Sequence, residues 1–268
     1  MAECRLVEEF PVRKTPAANR APKMIDTPKP TVDLPSDSSL RLSIPGRVSL
    51  KLKSIAKRVL PQGWVEEIRQ IRSFSKNERP LYLRVRFLDR IKQRRRGPRQ
   101  LTKPVRSLLF VCFGNIMRSP MCEALMNRAL AEVRHATIRV LSAGSNAIPG
   151  RPAHPWAIEA ARELGISLEN HRARPLSAEL LNDADIVFVM DYKNRVQLLM
   201  RYPEMDRKVM MLSAYAGSDH RCAEIRDPYN EDLQATRRCY QILRVCICNL
   251  AADLLTTSNE SILAVKKC

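Results

Sequence analysis

The stretch from residue 108 to residue 121, LLFVCFGNIMRSPM, is the part of the sequence that decides the fold. It begins with four large apolar residues, a run typical of a strand that is buried on both faces of a parallel sheet. Ser119-Pro120 near its end is a good helix start, because serine caps a helix N-terminus and proline suits the first helical position. A strand followed at once by a helix predicts an α/β fold.

The loop between this strand and helix has the composition of an anion-binding site. Backbone N–H groups that converge at the start of a helix favour negative charge. Gly114 and Asn115 can take the positive φ angles of a tight loop, and Arg118 can hold two phosphoryl oxygens through its planar guanidinium. We therefore predict a phosphate-binding loop, whose other members are Phe113, Ile116, Met117 and Ser119.

Cys112 lies at the floor of this predicted loop. The helix N-terminus and Arg118 should favour its ionised form, and the Ser119 hydroxyl can donate a hydrogen bond to the thiolate. A thiolate beneath a bound phosphate ester is placed for in-line attack on phosphorus. The Cys-x5-Arg spacing alone is weak evidence, so the prediction requires a matching acid elsewhere in the chain.

Asp227-Pro228-Tyr229 supplies that candidate acid. A leaving alcohol needs a proton as its bond to phosphorus breaks, and an aspartic acid held over the site can donate it and then activate water. By itself an Asp-Pro pair more often marks a turn.

Together these residues resemble the low-molecular-weight protein-tyrosine-phosphatase family. Three further segments that look like family motifs are Ser142-Ala143-Gly144, His171-Arg172-Ala173-Arg174 and Met190-Asp191. The resemblance covers about 150 residues, one ordinary domain. It implies a four-stranded parallel, doubly wound sheet, for which the strand candidates are residues 108–111, 138–141, 186–190 and 209–212.

The resemblance also implies the reaction. Cys112 would be the nucleophile that forms a phosphocysteine intermediate, Arg118 would bind phosphate and stabilise the transition state, and Asp227 would act as acid and then as base. The expected substrate is a phosphotyrosine protein, and no cofactor or metal ion is expected.

Other residues match the family's supporting groups. Ser142 and His171, with Asn115 and Ser119, resemble the network that shapes the loop. Tyr229 resembles an aromatic residue at the pocket rim that stacks on the substrate ring. His171 could also be an ordinary surface or core histidine, and Asp191 could simply cap the following helix.

Two positions depart from the family pattern. Many members have a cysteine just before the loop arginine, which protects the nucleophile by pairing with it under oxidation, whereas this chain has Met117. We therefore expect Cys112 to be open to irreversible over-oxidation. The residue after Tyr229 is Asn230 instead of the frequent aromatic, which leaves the substrate preference open.

Composition divides the chain unequally. Residues 1–104 contain 25 of the 46 Lys and Arg but only 10 of the 28 Asp and Glu, and 11 of the 18 prolines. We predict a disordered tail at 1–46, a basic amphipathic helical region or linker at 47–104, the phosphatase domain at 105–256 and a C-terminal tail at 257–268.

Within the basic region, helical spacing predicts helices that contain Val48 to Val59 and Trp64 to Ile71. A third helix would bury Leu81, Val85, Leu88 and Ile91, although the alternation of apolar residues from Leu81 to Phe87 would equally suit a strand. Such segments can lie on an anionic membrane surface or contact an acidic partner, or they can simply pack on the domain. We do not expect a nucleic-acid partner.

The remaining patterns bear on compartment and on rival functions. No apolar run approaches the ~20 residues that cross a membrane, and the first ten residues do not resemble a secretory signal, so we expect a cytoplasmic protein that is peripheral at the membrane if the basic region binds there. Cys239 and Cys246 fit the buried stripe of a helix better than a metal site. The rival functions are an arsenate reductase, for which Cys122 and Cys222 form no evident redox pair, and a non-catalytic phosphoprotein-binding scaffold.

Overall fold

The structure is a computed structural model that describes residues 62–94, 105–131, 138–217 and 224–265. The chain divides into two units between Arg69 and Gln70, and the fold considered below is that of the unit that begins at Gln70. Predictions for residues 1–46 and for the helix from Val48 to Val59 lie outside the described residues.

From β1 to β4, one or more helices separate each strand of the described residues from the next. The bounds of the helices and strands are α1 (Gln62–Ser73), α2 (Arg79–Arg94), β1 (Ser107–Cys112), α3 (Arg118–Ala131), β2 (Arg139–Gly144), α4 (Pro155–Glu163), α5 (Ala178–Asp183), β3 (Ile186–Val189), α6 (Tyr192–Arg201), a 3-10 helix (Pro203–Arg207), β4 (Val209–Met211), a second 3-10 helix (Leu212–Tyr215) and α7 (Leu233–Val265).

The four strands form one parallel sheet in the order β2-β1-β3-β4. Each predicted strand segment overlaps an observed strand, and the predicted four-stranded parallel sheet is confirmed. The register places Cys112 opposite Gly144 and Val111 opposite Val189, so β1, β2 and β3 end side by side. Loops that leave these carboxyl ends therefore converge at one edge of the sheet.

Helices cover both faces of the sheet. Leu108 and Phe110 of β1 pack with α3, α4 and α7, whereas Leu109 and Val111 pack with α2, α5 and α6. Every residue of β1 is buried, which explains why its sequence is a continuous apolar run and not an alternating one. The fold is doubly wound, as predicted.

Helix α2 settles the choice between helix and strand, but its buried face differs from the predicted one. Tyr82 is fully buried and Val85 nearly so, while Leu88 is exposed. Tyr82 stacks on Phe74 at 4.5 Å between ring centroids and meets Tyr192 edge-on. The prediction was wrong by part of a turn, because it followed the aliphatic residues and missed a tyrosine whose ring is the larger apolar surface.

The last helix, α7, buries Cys239 and Cys246 on its inner face, as the sequence predicts, and Cys248 is half-buried. It continues to Val265, past residue 256, at which the sequence places the end of the domain. Among the helices of the described residues, none is both long and apolar enough to span a membrane.

Candidate active site

The loop between β1 and α3 is the centre of the site. Its one described residue with positive φ that is not glycine is Asn115, at φ 51°, whereas Gly114 does not take the positive φ that the sequence suggested. The predicted capping role of Ser119 was also wrong, because the helix already begins at Arg118. Ser119 is fully buried instead, and its hydroxyl turns toward Cys112.

The end of strand β2, at Gly144, is in close contact with this loop. A Cβ atom at Gly144 would lie 2.8 Å from the Asn115 nitrogen and 2.8 Å from the Phe113 oxygen, too close for any other residue. Beyond Gly144, the N–H groups of Ser145 and Asn146 donate to the carbonyls of Cys112 and Phe113 at 3.0 and 2.9 Å. The loop is thus held by backbone contacts that need glycine at this position.

Cys112 is 3% exposed, and two hydrogen-bonding groups contact its sulfur. The N–H of Asn115 lies 3.3 Å from its sulfur, and the Ser119 oxygen lies 3.0 Å from it. Because the Asn115 amide donates to the Ser119 oxygen at 2.9 Å, the single proton of this hydroxyl can point to the sulfur or to the Ala143 carbonyl, which lies 3.3 Å away. The Cys112 sulfur therefore faces the Asn115 N–H and the Ser119 hydroxyl at the start of α3.

Asn115 organises the rest of the loop from a fully buried position. Its amide also donates to the Ser142 hydroxyl at 2.9 Å, and its side-chain oxygen accepts from the Arg174 N–H at 2.8 Å. Its carbonyl lies 2.7 Å from His171 Nε2, which must carry the proton because a carbonyl only accepts. The predicted residues Ser142 and His171 therefore meet at one asparagine.

Glu123 of α3 extends this chain of hydrogen bonds and was not predicted from the sequence. Ser142 donates to its carboxylate at 2.5 Å, so the acceptor capacity of Ser142 stays directed at Asn115. In the sequence Glu123 is an ordinary polar residue of a helix, and only the parallel pairing of β1 with β2 brings it to Ser142.

Arg118 lies 1% exposed between two carboxylates. Its Nη1 is 2.5 Å from Asp191 and its Nη2 is 2.6 Å from Asp227. Burial by itself would lower the pKa of Arg118, but Asp191, Asp227 and Cys112 raise it above its ordinary value. The guanidinium is therefore always charged, and among the described residues its buried Nε has no hydrogen-bond acceptor.

Asp227 lies beside the loop because two hydrogen bonds fix the backbone just before it. The Ile225 N–H donates to the Met190 carbonyl at the end of β3 at 2.7 Å, and the Ile225 carbonyl accepts from Arg118 at 2.9 Å. Asp191 serves twice, since it caps α6 by accepting from the Asn194 N–H at 2.7 Å and also pairs with Arg118. The structure thus brings Cys112, Arg118 and Asp227 together.

The rim of the site is aromatic and basic. Tyr229 is 40% exposed, and its hydroxyl accepts from Arg151 at 3.3 Å. His154 meets the Tyr229 ring edge-on at 5.5 Å. Burial, followed by the nearby Arg151 charge, lowers the pKa of His154, so this ring stays neutral. Phe113 is exposed by 38%, and beside it lies a cavity of about 260 Å³ that continues to Gln197 and Arg201.

Tyr240 of α7 supports the loop from beneath and was also missed from the sequence. Its ring is fully buried, and its hydroxyl donates to the Met117 carbonyl at 3.1 Å across 123 positions of the chain. Burial raises the pKa of Tyr240 well above its ordinary value, so the hydroxyl keeps its proton. The fixed bond joins the C-terminal helix to the residue just before Arg118.

The other thiols near the site are poor nucleophiles. Burial raises the pKa of Cys122 well above its ordinary value and that of Cys239 to about 12. Both therefore stay protonated at neutral pH, and neither is suited to attack an oxidised or arsenylated Cys112. Met117 is 2% exposed, while Cys222 lies outside the described residues.

Residues 107–260 match the family model described as low molecular weight phosphotyrosine protein phosphatase. The protein belongs to this family. The match begins at β1 and ends within α7, so it contains the sheet, the loop and the Asp227 segment.

Relatives of the phosphatase are named for more than one activity. A probable low molecular weight protein-tyrosine-phosphatase, EpsP of Ralstonia nicotianae, is 34% identical over 140 residues, which are 52% of this chain and 90% of EpsP. A protein-arginine-phosphatase of Bacillus subtilis is 33% identical over 147 residues, 55% of this chain and 95% of that protein. The crystal structure of the tyrosine phosphatase Wzb from Escherichia coli in complex with sulphate matches with a TM-score of 0.50 at 31% identity, over 56% of this chain and 99% of Wzb.

Proposed function

We propose that the protein hydrolyses phosphotyrosine monoesters of phosphoproteins, with Cys112 as nucleophile, Arg118 as phosphate ligand and Asp227 as general acid and base. The main support is that these three side chains meet at one loop. The Asn115 N–H and the Ser119 hydroxyl face the Cys112 sulfur, and Arg118 of the same loop pairs with Asp227. Arsenate reduction and a purely binding role receive no support from the matching family.

In the first step the substrate's phosphoryl group would lie in the loop against its N–H groups and the Arg118 Nε, which has no other acceptor among the described residues. A phosphoryl oxygen would replace the Asp227 carboxyl on Nη2. The Cys112 sulfur then forms a bond to phosphorus as the bond from phosphorus to the tyrosine oxygen breaks. Asp227, released and protonated, gives its proton to that oxygen.

In the second step a water molecule attacks the phosphorus of phosphocysteine. Asp227, now a carboxylate, takes a proton from this water as the sulfur–phosphorus bond breaks. Inorganic phosphate forms and the Cys112 thiolate returns to the hydrogen bonds of Ser119 and Asn115. A thiolate stabilised in this way is also the better leaving group.

The rim supports an aryl ester as substrate. The exposed faces of Tyr229 and Phe113 offer apolar surface to a phenol ring. A second candidate, phosphoarginine, is suggested by the Bacillus subtilis relative. The Arg151 charge argues against it, since its guanidinium lies at the edge of the rim, 6.0 Å from the centre of the Tyr229 ring, where it would repel a second guanidinium.

Turnover of one peptide sequence that carries phosphotyrosine, phosphoserine or phosphoarginine tests the proposal. We expect kcat/KM for phosphotyrosine to exceed that for the other two by about 100-fold or more. Cys112→Ser should abolish turnover. Faster release from phosphoarginine would favour the second candidate, and a folded chain that turns over none of the peptides would favour the scaffold.

A further inference from the structure

Helix α2 has a second apolar face that the phosphatase unit does not cover. Tyr82 and Val85 lie inward, while on the other side Leu83 is 48% exposed, Leu88 37% and Phe87 64%. Phe87 is the most exposed large apolar side chain among the described residues. Folding alone does not explain why three large apolar residues face solvent on one short helix.

The same helix is strongly basic. Its 16 residues contain six Lys or Arg and one acid, Asp89. That acid is turned inward, where its carboxylate pairs with Arg195 at 2.8 Å and accepts from the Tyr192 hydroxyl at 3.2 Å. Arg84 lies exposed beside the apolar residues. The outward face therefore combines exposed apolar side chains with the exposed Arg84, on a helix whose sequence has a net positive charge.

We infer that this face of α2 docks the protein on the surface of an anionic lipid membrane, with Leu83, Phe87 and Leu88 among the acyl chains near the headgroups. The exposed Arg84 would contact headgroup phosphates. A lipid surface offers acyl chains and headgroup phosphates together, and so takes both features at once. Nucleic acid would satisfy the charges but would leave the two leucines exposed to water.

Docking through α2 would also set where the enzyme works. Helix α2 packs on α6 through the Asp89–Arg195 pair, and α6 begins directly after Asp191, the partner of Arg118. The catalytic loop is therefore one helix away from the docking face. The active site would be held close to phosphoproteins at the membrane, whichever phosphorylated residue it prefers.

Co-sedimentation of the full chain with vesicles tests the inference. We expect binding to phosphatidylcholine vesicles that contain phosphatidylglycerol, and weak binding to phosphatidylcholine alone. The double variant Leu83→Ser/Phe87→Ser should reduce the partition coefficient by about tenfold or more, because it removes apolar surface without changing charge. Ile148→Ser, at a loop residue 61% exposed, is the matched control and should bind as the unaltered chain does.

A charge variant provides an independent readout. Arg84→Gln should lower binding to the anionic vesicles by about fivefold, with a smaller loss at high ionic strength. Failure of the unaltered chain to bind anionic vesicles would overturn the inference. The inference would also be overturned by a double variant that binds vesicles normally, or that loses affinity for single-stranded RNA instead. The thermal unfolding midpoint of this variant checks that it is folded.

Discussion

At the scale of the residue, Asp227 needs two partners in succession. Its carboxylate pairs with Arg118 at 2.6 Å and is 37% exposed, so a bound phosphate can displace it toward the leaving group. Asp227→Asn keeps the shape of the side chain but has no proton to donate. We expect turnover of phenyl phosphate to fall by about 10²-fold or more, while inhibition by inorganic phosphate changes little.

Steady-state kinetics with phenyl phosphate checks this prediction. Asp183→Asn is a suitable control, because Asp183 also pairs with an arginine, Arg139 at 3.2 Å, but on the exposed surface. An Asp227→Asn variant with an unchanged rate would mean that a different group donates the proton.

The residue before Arg118, Met117, affects how the enzyme responds to peroxide. Met117 cannot form a disulfide with Cys112, and the pKa values of the buried Cys122 and Cys239 thiols are raised, so they are unreactive. Peroxide should therefore carry Cys112 past the sulfenic acid to sulfinic and sulfonic acids. We expect inactivation that dithiothreitol does not reverse, and Met117→Cys should make a large part of it reversible.

Activity before and after dithiothreitol, with mass spectrometry of the Cys112 peptide, measures this outcome. Inorganic phosphate in the loop should slow the oxidation. Full recovery of the unaltered chain would show that another thiol protects the nucleophile.

Single residues also show where sequence reasoning ends. Cys112, Arg118 and Asp227 could be grouped because their motifs together resemble those of one family, although each motif alone was weak evidence. Glu123 and Tyr240 could not, because each acts through one contact between segments distant in the chain. Ser119 was expected both to cap α3 and to contact the Cys112 sulfur, and the structure shows only the contact with the sulfur.

At the scale of the element, α7 supports the catalytic loop through one buried bond. Tyr240→Phe would remove the donor to the Met117 carbonyl and leave that carbonyl buried without a partner. The expected loss is about 1–3 kcal/mol of unfolding free energy. Because Met117 adjoins Arg118, the affinity for inorganic phosphate should fall as well.

The control for this variant is Tyr215→Phe. Tyr215 is buried, and its hydroxyl donates to Asp253 of α7 at 2.9 Å. Loss of this hydroxyl should destabilise the fold by a similar amount without changing the affinity for phosphate. Equal effects of both variants on phosphate affinity would mean that Tyr240 is only a packing residue.

The packing of α2 on α6 depends on an ion pair. Asp89 and Arg195 have side chains 16% and 7% exposed, so Asp89→Ala would leave a buried guanidinium with one fewer partner. We expect a loss of about 2–3 kcal/mol, measured by urea unfolding. The exposed pair of Glu159 with Arg162 is the control, and Glu159→Ala should change stability by about 0.5 kcal/mol or less. Similar losses for both would contradict a structural role of the buried pair.

The helices and strands were not all predicted equally well, and the difference has a physical reason. Strands β1 and β3 could be located because burial on both faces leaves a continuous apolar run. Helix α2 has apolar residues on two faces, one against α6 and one toward solvent. Periodicity alone could not tell which face is buried, so Leu88 was assigned inward and Tyr82 was overlooked.

At the scale of the whole molecule, composition and packing mark different boundaries. The charge asymmetry of the sequence predicts a domain that starts at residue 105, and the family match starts at 107. Contacts instead place everything from Gln70 onward in one unit, so α2 is an addition to the family fold. The tail at 1–46 and the cytoplasmic location stay predictions.

In the proposed reaction, phosphate passes through a covalent bond to Cys112. This bond can be detected by rapid denaturation of the enzyme during turnover of a phosphotyrosine peptide, followed by mass spectrometry of the enzyme's own peptides. We predict a phosphoryl group on Cys112 in the unaltered chain, at higher occupancy in Asp227→Asn if hydrolysis becomes rate-limiting, and none in Cys112→Ala. Phosphate on another side chain, or steady turnover by Cys112→Ala, would contradict the account.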